Sequence, residues 1–506
     1  MTRRIGFLGE AARLSEAPSD GLATTTFARE LQAAGWLWDA LGLADMAHVH
    51  ELTTAGVLDP AIGRQLLADL LAFHDDTPVE AVTLDPAVGD TYNNRDRMLH
   101  ERFGDRMGHV HTGRARREAT TLAWHLVTRS MLLDSIRATT ELLDALLDVA
   151  DEHRITVLPD TTYLQHAQPT SLAHWLLGHA HPVARDLDRL AASLALVNRS
   201  PAGSGSVNGS RFPLDRARMA DLLGFDAPIV HTRDAMWAPD LALSTMSSVL
   251  AAMTPIDRLV EELQLWATSE YGFVSLADRH ARTSVIMPQK KNPYSLAMIR
   301  GHAREVVGDL VAVATTNLTP SGQPDNRTAS YDRVPTALRW HAGSARLLAD
   351  VLRGADFHAD RMRTEALTGF ATSTDVCDWL VETTDLDNRT VHRTVGRAVR
   401  AAIDDGRDQL AAADLHTAAE ELGADLPDVD PAELDRLGDP EHLLSLRTQL
   451  GGAATVPTML ADLRTTARRA TVPDDHPLAT FDGRFLATIA DAAGVGWSSP
   501  NDEQDA

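Results

Sequence analysis

A regular spacing of apolar side chains between residues 122 and 149 constrains the fold of this chain more than any other feature. Five positions follow one another in steps of 7, 3, 7 and 3 residues: Leu126, Leu133, Ile136, Leu143 and Leu146. This spacing places them on one face of a helix, as in the seams of helical bundles. A helix over these residues is about 42 Å long and needs equally long partners to cover its apolar face.

Further segments carry the same helical pattern. A helix that begins near Ser171 is expected to be kinked or broken at Pro182. Residues 241–269 predict another long helix with a bend at Pro255, and one more helix follows Pro293. Because apolar residues rarely alternate with a period of two, any strands should be short. The sequence therefore predicts a mostly α-helical protein with long central helices.

The chain divides into four regions by pattern and composition. With 506 residues it exceeds the size of a single hydrophobic core. We expect an N-terminal domain of shorter helices at residues 1–110 and a long-helix domain at 111–365. A small helical domain should follow at 366–465, and a partly flexible extension at 466–506.

The charge balance limits the possible partners. Against 71 acidic residues the chain has 47 basic ones, a formal net charge of −24. Such an average surface repels nucleic acids and anionic membranes. The sequence has neither an apolar signal segment nor an 18-residue apolar run, and it has one cysteine, Cys377. We therefore expect a cytoplasmic protein whose partners are small molecules.

Lysine is confined to one place in the chain. Only two of the 47 basic residues are lysines, and these two, Lys290 and Lys291, are neighbours. A lysine is a compact charge on a flexible stem, whereas an arginine is a planar fork, so the two are not interchangeable at an anion site. This pair therefore marks the surrounding segment as a candidate site.

Residues 284–293, SVIMPQKKNP, form a loop with two prolines that ends where a long helix begins. The backbone N–H groups and dipole of a helix start favour an anion. Lys290 and the amide of Asn292 add donors, and Ser284 adds a hydroxyl. This set fits the removal of a proton from the carbon next to a carboxylate, because preorganised donors stabilise the resulting enediolate.

Five segments together resemble the fumarase/aspartase superfamily, in particular its argininosuccinate lyase branch. They extend the likeness over roughly residues 20–465. The segments are SVIMPQKKNP (284–293), ERFGDRMGHVHTGRAR (101–116), PDTTYLQHAQPTSLAHW (159–175), SPAGSGSVNGSRFPLDR (200–216) and TGFATSTDVCDWLV (368–381).

The resemblance implies a homotetramer with a central 20-helix bundle and active sites built from three chains. It implies β-elimination from a succinyl compound to give fumarate. By position, Ser284 matches the catalytic base, and Lys290 and Asn292 match the loop residues that bind carboxylate and stabilise charge. The matching segments also imply substrate contacts at Thr112, Arg116, Thr162, Gln165, Asn326 and Arg327.

Several positions depart from the family pattern. Tyr163 stands where the family has a histidine linked to protonation of the leaving amine, and an unperturbed phenol is the weaker acid. Either Tyr163 takes that role, or His166 one helical turn further on replaces it, or the leaving group needs little help. Arg117 replaces an asparagine. Residues 325–332 lack the tyrosine and glutamine that grip the amino-acid end of argininosuccinate.

These differences lie where the leaving half of the substrate is recognised, and the fumarate-forming half is kept. We therefore predict a lyase that eliminates an amine from an N-substituted aspartate, or adds one to fumarate, with an additional anionic group facing Arg117. The alternatives are elimination of another group such as nitrite from nitrosuccinate, authentic argininosuccinate lyase, or a catalytically silent structural homologue. No cofactor or metal is expected, because the spacing of His174, His179 and His181 matches no common zinc pattern.

Overall fold

The computed structural model describes residues 16–320 and 325–497, without the side chains of Asp325 and Asn326. The first helices are α1 Ala28–Glu30, α2 Ala34–Thr54, α3 Pro60–Asp76 and α4 Thr91–Phe103. The central helices are α5 Arg116–Glu152, α6 Leu172–Val197, α7 Arg216–Leu222, α8 Thr232–Trp237, α9 Pro239–Trp266, α10 Tyr294–Thr316 and α11 Asp325–Arg353. The last are α12 Ala359–Ala366, α13 Ser373–Thr383, α14 Asn388–Asp404, α15 Ala412–Leu422, α16 Pro431–Leu437, α17 Pro440–Leu446, α18 Val456–Ala470 and α19 Phe481–Ala493.

The strands are short and pair two by two, which confirms the prediction of a mostly α-helical fold. β1 pairs with β2 and β6 with β7 in antiparallel hairpins, β5 pairs with β8, and β3 lies parallel to β4. Their bounds are β1 Val157–Thr162, β2 Gln165–Ser171, β3 Arg199–Ser200, β4 Ala227–Pro228, β5 Val274–Ser275, β6 Arg282–Thr283, β7 Lys291–Asn292 and β8 Asp356–Phe357.

Five long helices (α5, α6, α9, α10 and α11) form a bundle at the centre of the chain. All five apolar positions of the predicted seam on α5 are buried at 5% exposure or less. Burial of a leucine-sized side chain contributes about 1.5–3 kcal/mol, so this seam holds α5 firmly against its neighbours. Among the described residues, no helix is both long and apolar enough to cross a membrane.

Neither Pro182 nor Pro255, the two prolines at which a kink, break or bend was expected, ends its helix. α6 begins one residue after Ser171, whose hydroxyl caps it by accepting a hydrogen bond from the His174 N–H, and it continues through Pro182. α9 likewise continues through Pro255. The possible break at Pro182 does not occur, because the apolar positions on both sides of it are buried in one core and hold the helix together.

Ion pairs between helices fix the directions of the bundle. α11 runs parallel to α5, because Tyr331 near its start lies 3.1 Å from Thr121 near the start of α5, and Arg346 further along lies 2.6 Å from Asp134. α10 runs antiparallel to α9, because Arg300 near its start lies 2.7 Å from Glu261 near the end of α9. Arg327 in the first turn of α11 donates to the Met236 carbonyl just before α9. The starts of α5, α9 and α11 therefore lie at one end of the bundle, and α10 begins at the other.

The helices outside the bundle belong to two cores. One core joins the N-terminal helices, the bundle, α18 and α19, and α19 packs against α3. A second core lies within Val376–Leu443 and is built from the helices around α14. The boundaries at residues 110, 365 and 465 remain predictions, since a shared core does not determine where one domain ends and the next begins.

Candidate active site

The 284–293 loop is the tip of a short hairpin that leads into α10. Arg282 pairs with Asn292 and Thr283 with Lys291, and these pairs close the hairpin. The Asn292 Nδ2 donates to the Arg282 carbonyl at 2.9 Å, which fixes its amide and leaves the second N–H available. Ser284 and Asn292 thus lie at the base of one hairpin, directly before a helix start.

The Ser284 hydroxyl is held inside this loop. Its Oγ accepts hydrogen bonds from the backbone N–H groups of Ile286 at 3.4 Å and Met287 at 3.2 Å. Hydrogen bonds donated to an oxygen favour its deprotonated form. The loop therefore fixes the position of the Ser284 oxygen beside two backbone N–H donors.

The two lysines have different surroundings. The Lys291 Nζ lies 2.7 Å from the Asp278 carboxylate, and this contact holds the pKa of Asp278 below its usual range. Lys290 is exposed and makes no ion pair with any residue that the structure describes. Within the loop, Lys290 is therefore the ammonium available to a ligand.

Apolar side chains at the tip of the loop face solvent. Val285 is fully exposed, and Ile286 is 84% exposed. Two such side chains side by side are unusual on the surface of a protein that acts alone. The tip is therefore suited to contact a substrate or another chain.

The 157–171 hairpin carries the second group of predicted residues. Tyr163 and Leu164 form its two-residue turn with φ angles of 55° and 60°, and Tyr163 is 99% exposed. His166 lies in β2 opposite Thr161. The expectation that His166 follows Tyr163 by one helical turn was wrong, because the segment is a hairpin.

Tyr163 and His166 nevertheless border one cleft of about 540 Å³. Its far wall includes Trp175 and Glu262, whose carboxylate accepts a hydrogen bond from the indole N–H at 3.0 Å. Thr162 and Gln165 form the last pair of the hairpin beside the turn, so the four predicted residues of this segment lie together.

Three of the predicted arginines meet in a small cavity of about 70 Å³, called here the arginine pocket. Arg116 and Arg117 lie at the start of α5, and Arg327 lies in the first turn of α11. The cavity is lined by Glu30, Ala33, Leu37, Asp90, Thr91, Tyr92, Arg116, Arg117, Thr120, Arg327, Thr328 and Tyr331. The side chain of Asn326 lies outside the described residues.

The arginine pocket has an excess of positive charge. Arg116 lies 3.4 Å from Asp90, but Arg117 and Arg327 form no ion pair within the described part of the chain. Burial, with the charges of Arg117 and Arg116, lowers the pKa of Arg327 to about 10. Burial and Asp90 also raise the pKa of Glu30, which weakens the negative side of the pocket. An entering anion would relieve this imbalance.

Aromatic and polar residues that the sequence analysis did not select hold the arginines in place. The Trp237 ring lies 4.5 Å from the Arg117 guanidinium and 4.1 Å from that of Arg327. Tyr92 OH lies 2.8 Å from the His111 Nδ1, directly before the Thr112–Arg117 stretch. No motif singles out these residues. A feature that could have drawn attention to Trp237 is its position two residues before Pro239, the proline that starts α9.

Two further contacts fix the chain around α5. The carbonyl of half-buried Thr112 lies 2.8 Å from the His48 Nε2. The buried Glu118 carboxylate accepts the N–H groups of Gly203 at 2.7 Å and Gly205 at 2.6 Å, and burial raises its pKa to about 7. At Gly205 the φ of +63° and a carbonyl 2.5 Å from any added Cβ exclude a larger residue.

The helix lengths keep the arginine pocket apart from the other two groups within one chain. Arg116 starts α5 and the 157–171 hairpin follows its end, so the 37 residues of α5 separate them by about 55 Å. Arg327 donates to the Met236 carbonyl just before α9, whereas the 284–293 loop precedes the helix that packs beside the other end of α9. The 28 residues of α9 separate these two by about 40 Å.

Comparison with known proteins gives a consistent result. The model of a family described as lyase matches residues 25–308, and one described as argininosuccinate lyase C-terminal matches residues 370–437. An argininosuccinate lyase of Methanoculleus marisnigri is 36% identical over 478 residues, covering 92% of this chain and 95% of that protein. One of Neisseria meningitidis is 31% identical over 82% of this chain and 89% of its own length.

Solved structures agree with these relatives. EDDS lyase in complex with formate superimposes with a TM-score of 0.80 at 26% identity, over 95% of this chain and 96% of that chain. A variant of the same enzyme with bound fumarate gives a TM-score of 0.81 at 25% identity, with the same coverage. A class II fumarase of Schistosoma mansoni, at 14% identity and a TM-score of 0.68, shares the fold.

Proposed function

Since this chain belongs to the argininosuccinate lyase-like branch of the fumarase/aspartase superfamily and is a carbon–nitrogen lyase that gives fumarate, we propose that its substrate is an N-substituted aspartate whose amine half carries a carboxylate. The observation that carries this proposal is the arginine pocket, where Arg117 and Arg327 have no carboxylate partner in the described chain. The same site also serves the reverse addition of such an amine to fumarate.

The fumarate-forming half of the reaction is assigned to the 284–293 loop. Ser284 takes a proton from the carbon next to a substrate carboxylate, and Lys290 and Asn292 stabilise the enediolate that forms. The electron pair then makes the carbon–carbon double bond, the carbon–nitrogen bond breaks, and the amine nitrogen leaves with a proton donated by the general acid, Tyr163 or His166. Donors placed where charge develops are worth about 10²–10³-fold each in rate.

The leaving half is assigned to the arginine pocket. A cavity of about 70 Å³ accepts a small group, and its unpaired guanidiniums suit a carboxylate bound through two hydrogen bonds. Hydrogen bonds to charged groups contribute about 1.5–3 kcal/mol each. This is enough to select a leaving amine that carries a carboxylate over one that carries a neutral group.

The distances of about 40–55 Å between the arginine pocket and the other two groups within one chain support a site shared between copies. We propose that four chains assemble with their five long helices into a 20-helix bundle, and that each site takes its loop, hairpin and arginine pocket from three chains. The outward face of α10 supports this assembly, because Val307 and Val311 lie four residues apart on one face of this long helix and are 47% and 58% exposed.

Release of fumarate from a panel of N-substituted aspartates, followed by absorbance, tests the proposal. Substrates whose amine carries a carboxylate should turn over, Ser284→Ala should abolish the reaction, and Lys291→Ala serves as the matched loop control. If wild type releases fumarate only from adducts with uncharged amines, the assignment of the arginine pocket is wrong.

A second candidate is argininosuccinate lyase itself, which the names of the curated relatives favour. Asp325 and Ser330 stand where the family has its tyrosine and glutamine, and these two changes together with Arg117 argue against it. The arginine released from argininosuccinate also carries a carboxylate. Rapid cleavage of argininosuccinate, with slower cleavage of all the other carboxylated adducts, would therefore establish this candidate instead. Nitrite release from nitrosuccinate, which needs no acid for the leaving group, completes the panel.

A further inference from the structure

Trp237 occupies the space between two charged groups of the arginine pocket. Its ring lies 4.5 Å from the Arg117 guanidinium and 4.1 Å from that of Arg327, and the side chain is buried at 8% exposure. Trp237 is the last residue of α8, and the Met236 carbonyl beside it accepts a hydrogen bond from Arg327 at 2.9 Å. One helix end thus holds both arginines.

The chemistry of this contact differs from that of an ion pair. An aromatic ring attracts the face of a guanidinium, whereas a carboxylate would occupy the N–H groups along its edge. Arg117 and Arg327 are held by the indole and form no ion pair with described residues. Apart from the Arg327 N–H that bonds the Met236 carbonyl, the N–H groups along their edges are therefore left for a ligand. Trp237 itself does not line the arginine pocket, so it acts through the two arginines.

The arrangement also keeps two like charges near each other. Arg116 adds a third positive charge at the same wall, and its partner Asp90 lies 3.4 Å away. Such a set of charges persists only when packing fixes it, and the buried indole supplies that packing from one side. Tyr331 and Thr120 line the same cavity and offer hydroxyl groups for further contacts.

We propose that Trp237 is a positioning residue that determines specificity, because it aims the N–H edges of Arg117 and Arg327 at a carboxylate on the leaving amine. This inference rests on the proposed function and extends it to a residue that does not touch the substrate. A carboxylate bound there receives charge-assisted hydrogen bonds from two directions, whereas a neutral amide of the same shape receives weaker ones.

The test compares pairs of substrates that differ only in charge: N-(carboxyalkyl)aspartates with one to three carbons in the linker, and the matching N-(carbamoylalkyl)aspartates. Trp237→Leu removes the ring, Trp237→Phe keeps an aromatic face, and Trp340→Leu removes a different arginine–indole contact of 5.1 Å, made by Arg339. The readouts are kcat and KM for each pair.

For Trp237→Leu, we expect KM for the carboxylate substrate to rise at least tenfold, kcat to change less than threefold, and the preference for carboxylate over amide to fall about tenfold. Trp237→Phe should retain most of the preference, and Trp340→Leu should leave it unchanged. An unchanged preference in Trp237→Leu, or equal losses in Trp237→Leu and Trp340→Leu, would overturn the inference.

A binding measurement separates this inference from the proposed function. Calorimetry of the same compounds with Ser284→Ala, alone and combined with Trp237→Leu, reports Kd without turnover. If wild type cleaves no member of the panel, the proposed function fails, whereas a tenfold weaker Kd for the carboxylate compounds alone still supports the role of Trp237. If Trp237→Leu does not selectively weaken binding of the carboxylate compounds, this result counts against that role.

Discussion

The Lys291 ammonium lies 2.7 Å from the Asp278 carboxylate, whereas its neighbour Lys290 has no such partner among the described residues. The chain has no other lysines, so these two adjacent positions make an internal comparison possible. One lysine fastens the hairpin, and the other is free to bind a ligand.

The first prediction follows from this difference. Lys290→Ala should lower kcat/KM for fumarate formation by about 10²–10³-fold, because it removes a charge where negative charge develops. Lys291→Ala should change it less than about fivefold, since an exposed ion pair contributes about 0–1 kcal/mol. Steady-state kinetics on the two purified variants measures both changes in kcat/KM. Equal losses of kcat/KM in both variants would mean that catalysis depends on the conformation of the loop and not on the Lys290 ammonium in particular.

The second prediction concerns pH and Glu118. Burial raises the pKa of Glu118 to about 7 from 4.5, so the folded protein binds a proton between these values that the unfolded chain has released. The contribution of Glu118 to the free energy of unfolding is therefore greatest below pH 4.5. It decreases as pH rises to about 7, by on the order of 1–3 kcal/mol.

Denaturant unfolding between pH 5 and 8 checks this. Glu118→Gln should flatten the pH dependence, because the group no longer titrates, even though the variant loses one of the two hydrogen bonds to Gly203 and Gly205. A wild type and a Glu118→Gln variant with parallel pH profiles would contradict the assignment.

The third prediction concerns Arg117. Arg117→Asn should raise KM for a carboxylated amine adduct about 10–100-fold, because a charge-assisted hydrogen bond of about 1.5–3 kcal/mol is lost. Arg211→Asn, at an exposed arginine outside the pocket, is the matched control and should have no effect. KM values for charged and neutral adducts provide the measurement, and a similar rise for both classes would argue for a structural role only.

The fourth prediction decides between Tyr163 and His166. Tyr163 is 99% exposed at the tip of the turn, so its hydroxyl is accessible to a substrate or to another copy of the chain. Tyr163→Phe should lower kcat for amine release by about 10²–10⁴-fold, the range for loss of a general acid, and much less for nitrite release. His166→Gln should have the smaller effect, and the reverse order would make His166 the acid.

The fifth prediction tests the assembly. Val311→Asp places a charge on the exposed face of α10 and should convert a species of about four chains to smaller ones in sedimentation experiments. Ile403→Asp, at a 53% exposed residue on α14, is the control and should leave the assembly intact. A wild-type chain that sediments as a monomer would remove the basis for a shared site.

Much of the architecture is local in origin. The 7-and-3 spacing on α5 predicted both the helix and its buried face, because helical period and burial are properties of one segment. The 284–293 loop was equally visible from its prolines and lysines. The expectation for His166 failed for a local reason as well: residues 157–171 form a hairpin whose turn residues, Tyr163 and Leu164, are not typical of the φ > 0 that they adopt.

The contact between Trp237 and the two arginines, Arg117 and Arg327, is not local in origin. These residues lie up to 210 positions apart, on α5, α11 and α8, and no periodicity connects them. By itself, the sequence determined the helices, the 284–293 loop before α10 and the family, since each depends on neighbouring residues. Only the tertiary structure decided which arginines share a cavity and how far that cavity lies from the loop, because both depend on how the five long helices pack and on their directions.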